Sequence, residues 1–118
     1  MNRNNESTRY YSDAHEKYIA TILSSQQTSN SGAGRWSKSD VVNKKASLSI
    51  ECKTSMSEKA SFSIKKEWIT KHKEEAWSNR LSNTALAISF DPSGKENYFV
   101  IDEKLMKFLV EKLEEENE

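Results

Sequence analysis

Between residues 46 and 54 the chain alternates, with Leu48, Ile50 and Cys52 separated by Ser49, Glu51 and Lys53. Side chains two apart on a strand share a face and lie roughly 6.5 to 7 Å apart. The stretch therefore predicts a half-buried strand with one apolar face and one face carrying an acid beside a lysine. Such a strand cannot stand alone: it needs a hydrogen-bonding neighbour and a cover for its apolar side. Asp40-Val41-Val42 predicts the neighbour, joined through a short turn at Asn43-Lys44-Lys45. Residues 85–90 and 97–101, flanking the turn signal Asp91-Pro92-Ser93-Gly94, predict two further strands.

Cover is predicted from three helical stretches. Tyr11, His15, Tyr18, Ile19, Ile22 and Leu23 recur at the three-and-four spacing of one helical face, predicting a helix from about Ser7 to Ser24. Ile64, Trp68, Ile69, His72, Ala76 and Trp77 mark a second helix, with Ser61 or Ser63 as its N-cap. Asp102 is placed to cap a third, acidic helix over residues 102–116, in which Leu105, Met106, Leu109, Val110 and Leu113 form a stripe expected to be buried. The polar run 24–34 holds two of the three glycines and no apolar period, so it reads as part of a mobile loop over about 24–38. The expected order is α-β-β-α-β-β-α: an α/β fold with a mixed sheet flanked by helices, in one domain spanning residues 1–118.

Composition narrows the function classes. With 118 residues the chain suits a single core, and one cysteine rules out an internal disulfide or a Cys-rich zinc site. Two histidines make a His-based metal cage a poor fit, so a metal is expected on oxygen ligands. No stretch reaches the length and apolarity of a membrane span, and the first residues lack the apolar run of a secretory signal, so a cytoplasmic, membrane-free protein is expected. The net charge of zero is unevenly spread. Residues 35–80 hold eleven Lys or Arg against six Asp or Glu, whereas residues 102–118 hold three against seven. A basic middle fits an anionic partner such as nucleic acid, and equally fits plain solubilising charge.

The chemistry rests on Asp40 followed, after ten residues, by Glu51-Cys52-Lys53. On the predicted strand Glu51 and Lys53 point together and Cys52 turns to the core. A tight hairpin brings Asp40 alongside them. Two carboxylates on one face hold Mg²⁺, or Mn²⁺ in its place, with waters and a phosphate oxygen completing the shell, and the adjacent lysine positions or deprotonates an attacking water. The pattern has a plainer alternative, a solvent-facing Glu–Lys pair on a half-buried strand. A second acid-x-Lys triplet, Asp102-Glu103-Lys104, opens a helix and has no acid on a matched hairpin before it.

Ser31-Gly32-Ala33-Gly34, then Lys38-Ser39-Asp40-Val41-Val42, then Ile50-Glu51-Cys52-Lys53-Thr54 resembles the PD-(D/E)xK nucleases, in particular their small Holliday junction resolvase-like members from phages and archaea. The resemblance runs from the first helix to about Phe90. It implies a restriction-endonuclease-like sheet in a prokaryotic or phage-infected cell, with Asp40 and Glu51 as metal ligands and Lys53 on the attacking water. It also implies Glu16, on the helix ahead of the loop, at a second metal position, and the Cys52 backbone carbonyl as a further ligand. The chain departs from the family at Ser39, where Pro or Gly is usual, and in the acidic segment from Asp102 onward. The activity implied is Mg²⁺-dependent endonucleolytic hydrolysis of branched DNA by a homodimer. The alternatives are a same-fold nuclease that nicks or restricts duplex DNA, and a catalytically silent DNA-binding module.

Arg35 and Lys38, flanking Trp36 beside the glycines, are candidates for phosphate contacts, with Trp36 stacking on a base or wedging a junction. Lys44 and Lys45 in the hairpin turn, together with Lys59, Lys65 and Lys66, are further candidates for backbone contacts. His15 and His72 read as helix-face residues, Trp68 and Trp77 as packing or dimer contacts, and Cys52 as a buried small hydrophobe.

Overall fold

The computed structural model describes the backbone of residues 2–28 and 40–118, and side chains from Tyr10 onward within those ranges. Arg35, Trp36, Lys38 and the glycine-bearing stretch before them lie outside the described residues. Eight elements follow one another: α1 (Asn2–Ile22), β1 (Gln26–Gln27), β2 (Val41–Asn43), β3 (Leu48–Thr54), α2 (Lys66–Ser78), β4 (Asn83–Ser89), β5 (Asn97–Val100) and α3 (Glu103–Glu116). The strands form one five-stranded mixed sheet in the order β1-β2-β3-β4-β5. The pairings β1–β2, β2–β3 and β4–β5 are antiparallel, and β3–β4, joined through α2, is parallel.

The alternation of β3 sorts the helices onto the two faces. Val41 and Ile50 pair across β2 and β3 and pack with Ile19, Ala20, Ala85 and Ala87 into the core under α1, with Cys52 at its margin. On the opposite face Ser49 Oγ bonds His72 Nε2 of α2 at 2.8 Å. Both predicted helix-face histidines are thus buried core groups with hydrogen-bond partners. Asn97 Nδ2 donates to the Gly94 carbonyl at 2.8 Å, so its Oδ1 faces His15 as acceptor; His15 Nε2 donates to it at 2.6 Å, and Nδ1 accepts from Thr54 Oγ1 at 2.6 Å. That network holds α1 to β3 and β5 with a neutral imidazole. Burial holds both histidines below the ordinary imidazole pKa.

Four expectations need correction. The element order contains one more strand than predicted, because Gln26–Gln27, inside the supposed mobile loop, pairs with Val42 and Val41. Two polar residues carry no alternation, and the strand exists only because the edge of β2 offers it partners. The second helix starts at Lys66, not near Ser61 or Ser63, and its N-cap residue Lys65 makes no side-chain cap bond. Phe62 instead packs edge-on against Phe90 and Trp68, with centroids 5.9 and 6.5 Å away, which keeps residues before Lys65 out of the helix. The Asp102 cap is present, its carboxylate accepting the Leu105 N–H at 2.9 Å, yet the stripe behind it is not buried: no residue of α3 is. Trp77, read as a packing or dimer residue, is 80% exposed, which overturns the packing half of that reading among the described residues and leaves the dimer half as it stood.

Candidate active site

The hairpin between β2 and β3 positions the site. Its register Val41↔Ile50 sets Asp40, immediately before β2, across from Glu51. The Asp40 N–H donates to the Ile50 carbonyl at 3.2 Å, and its own carbonyl accepts the Thr28 N–H at 3.0 Å, so the backbone is held from both sides. Its side chain turns back onto β3, where Oδ2 accepts the Cys52 N–H at 2.8 Å. Glu51 and Lys53, two apart on the same face, form an ion pair at 3.0 Å. The Lys53 ammonium also lies 4.3 Å from the centroid of the Trp68 ring, so a carboxylate and an aromatic face fix it together.

These residues line an open groove between the middle of the sheet and α2. Asp40, Glu51, Cys52 and Lys53 form one wall; Glu67, Trp68, Lys71 and Glu75 form the other. Glu67, Lys71 and Glu75 recur every four residues, which places them on one face of α2. Sequence reading did not single out these three. The signal was that spacing, but only the packing of α2 against β3 shows that the face looks into the groove.

Glu16 is buried on α1, on the Cys52 side of the sheet, and does not line the groove. Gln27 of β1 donates from one amide nitrogen to Glu16 Oε1 at 3.2 Å and to Asp13 Oδ1 at 2.7 Å. Burial pushes the Glu16 carboxyl up to about 7, and the Asp40 charge adds to the rise. Burial likewise pushes Asp40 up to about 6, with the Cys52 N–H opposing and the charges of Glu51 and Glu75 adding. Burial raises the Cys52 thiol as well, so it stays protonated and inert near neutrality.

Lys44 and Lys45 are exposed in the β2–β3 turn. That turn lies at the Leu48 end of β3, about 10 Å along the strand from Glu51 and away from Lys53. Lys59, Lys65 and Lys66 are also exposed, the last two at the start of α2, beside Glu67 and Trp68 of the groove.

Comparison with protein-family models, with curated proteins and with solved structures returned no match. What the site can do therefore rests on its own geometry. Among the described residues no three His, Cys, Asp or Glu side chains are already gathered at metal-holding distance. A Mg²⁺ ion asks for less, since it keeps several waters and takes one or two carboxylates. The donor set suits such an ion: Asp40 and Glu51 offer only hard oxygens. Each carboxylate has one oxygen already engaged, Asp40 Oδ2 by Cys52 and Glu51 Oε2 by Lys53. The Asp40 carboxyl is raised first by burial and only then by the charge of Glu51, a repulsion that a cation between the two would relieve.

Proposed function

We propose that the chain is a Mg²⁺-dependent DNA endonuclease that hydrolyses phosphodiester bonds, with branched DNA as its substrate. The observation that carries this reading is the hairpin register that brings Asp40 level with Glu51, with Lys53 fixed beside them in an open groove. The antiparallel run β1-β2-β3 followed by the parallel β3-α2-β4 crossover supports a restriction-endonuclease-like arrangement around it. Asp40 and Glu51 would hold the ion, with the Cys52 carbonyl as a further ligand that the resemblance suggests; the resemblance also offers Glu16, which does not line the groove. Bound there, Mg²⁺ supplies charge neutralisation at the scissile phosphate and a lowered pKa for a water.

The remaining work falls to the chain. Lys53, held between Glu51 and Trp68, orients the attacking water and offsets the charge that builds on the phosphate. Lys65 and Lys66, exposed at the start of α2, would contact DNA phosphates beside the groove, and Arg35 and Lys38, outside the described residues, are further candidates from the sequence. Symmetric cutting of a four-way junction requires two such sites related by a two-fold axis, hence a homodimer.

The test is to incubate the protein with labelled four-way junction, linear duplex and single strand, with Mg²⁺, Mn²⁺, Ca²⁺ or EDTA. Cleavage is expected with Mg²⁺ and Mn²⁺ on the junction first, binding without efficient cutting in Ca²⁺, and none in EDTA. Equal cutting of linear duplex would move the substrate to duplex DNA. Binding without cutting under every metal would leave a silent DNA-binding module.

A further inference from the structure

Three turns meet at the end of the sheet away from Lys53. Asn43 Nδ2 donates to Ser25 Oγ, just after α1, at 3.0 Å. Ser47 of the β2–β3 turn bonds the α2–β4 turn twice, its Oγ accepting the Ser82 N–H at 2.9 Å and its carbonyl the Asn83 N–H at 2.9 Å. Among the described residues the non-glycine residues with positive φ, Ser24, Ser47 and Arg80, all lie in these turns. Arg80 is the informative one. Its N–H bonds the Trp77 carbonyl at 3.0 Å and the Leu81 N–H bonds the Ala76 carbonyl at 2.8 Å, the paired bonds that close a helix around a left-handed residue, here at φ +63°. Folding alone favours glycine at that position, and the chain places a long cation there instead. Beside it Trp77 is 80% exposed, and the two line one open pocket. Lys44 and Lys45 are exposed on the adjoining β2–β3 turn. Residues 23–25, 43–47 and 79–82 hold no acid; on α2 the nearest are Glu74 and Glu75, of which Glu75 lines the groove.

We infer that this end of the molecule binds a single-stranded segment of DNA, with Arg80, Lys44 and Lys45 on its phosphates and Trp77 stacked on a base. The three cations select an anionic chain, and an exposed indole beside a guanidinium supplies a platform on which bases stack. Bases within a duplex cover one another's faces, so the indole takes only an unpaired one. An acidic peptide meets the cations alone and brings no base to the indole. The site is separate from the groove: the two share no residue, and the β2–β3 turn begins beyond Leu48, about 10 Å along β3 from Glu51. The inference rests on the nuclease reading for its choice of DNA and deepens it, giving the branched substrate a single-stranded arm held outside the groove.

The experiment is fluorescence anisotropy of the full chain with a labelled oligothymidine of about 15 nucleotides, a length within the site sizes of single-strand binders. It is run in EDTA over a series of salt concentrations, beside a blunt duplex and with poly-glutamate as competitor. Wild type is expected to bind the single strand. Trp77→Ala should weaken that binding about fivefold or more with the salt slope unchanged, and should leave duplex binding alone. Lys44→Ala with Lys45→Ala should flatten the log–log salt slope by about 1.4, two phosphate contacts at about 0.7 each. Arg80→Gly separates binding from folding: it should lose affinity and about 0.7 of the slope, yet melt no lower than wild type. No arm needs cleavage. A chain that cuts nothing and still shows this pattern upholds the site and fails the nuclease reading alone. Absent binding of the oligothymidine, unchanged affinity in Trp77→Ala or Arg80→Gly, an equal loss on blunt duplex, or displacement by poly-glutamate as effective as by unlabelled oligothymidine would each overturn the inference.

Discussion

Asp40 Oδ2 accepts the backbone N–H of Cys52 at 2.8 Å, tying the acid that precedes β2 to the middle of the Glu51-Cys52-Lys53 triplet on β3. This bond fixes the distance between two carboxylates that repel each other. The arrangement is held against that repulsion by the sheet register and by the single backbone donor.

Replacing either acid separates function from folding. Asp40→Asn keeps a carbonyl oxygen to accept the Cys52 N–H, so the hairpin persists while the metal-binding charge is lost. Cleavage should disappear. Stability at pH 8 should rise by roughly 1 to 2 kcal/mol, less than the full pKa displacement implies because the groove admits water. Glu51→Gln should also abolish cleavage. Melting curves and junction cleavage on the same samples check both, and near wild-type cutting in either variant would remove the site assignment.

Glu16 contributes a pH dependence with a definite sign. Its carboxyl titrates at about 7 in the folded state, above its ordinary value, so the folded chain holds a proton that the unfolded chain has released. The associated stability is complete below the ordinary carboxylate range and is lost as pH rises through about 7. His15 and His72, lowered by burial, act in the opposite direction at mildly acidic pH. The difference between Glu16→Gln and wild type isolates the carboxyl: the variant should gain relative stability from pH 6 to pH 8. Parallel denaturation profiles over that interval would contradict the burial of Glu16.

Lys53→Ala should lower the single-turnover cleavage rate by about 10² to 10⁴-fold while leaving metal affinity within a few-fold. Glu51 loses its ion-pair partner at 3.0 Å, which if anything frees that carboxylate for a cation. Titration of metal binding alongside the rate distinguishes this from a lysine that only balances charge, for which both would fall together.

Gly94 closes the turn between β4 and β5 with φ of +66°, and a Cβ there would sit 3.2 Å from His15 Cβ. Gly94→Ala therefore meets both backbone strain and the buried side chain that holds α1 to the sheet. A loss of about 1 to 3 kcal/mol is expected by chemical denaturation. A substitution tolerated within about 0.5 kcal/mol would mean that the turn relaxes without disturbing the His15 network.

The alternation Leu48-Ser49-Ile50-Glu51-Cys52-Lys53 determined by itself that β3 has two unlike faces, because side-chain direction on a strand has a period of two whatever surrounds it. The same local logic carried the Asp102 cap, the turn at Asp91-Pro92-Ser93-Gly94, and the hairpin that brings Asp40 to Glu51. Tertiary structure decided the rest. Gln26–Gln27 became a strand because β2 had a free edge, and Phe62 moved the start of α2 by its contacts with Phe90 and Trp68. The spacing of Glu67, Lys71 and Glu75 defined a helix face, but docking on β3 turned it into a wall of the groove. Glu16 is buried on α1 and does not line the groove, a placement that no local pattern contains. The stripe on α3 marks the limit most clearly: periodicity defines an apolar face, whereas burial depends on a partner surface, which the described residues do not supply.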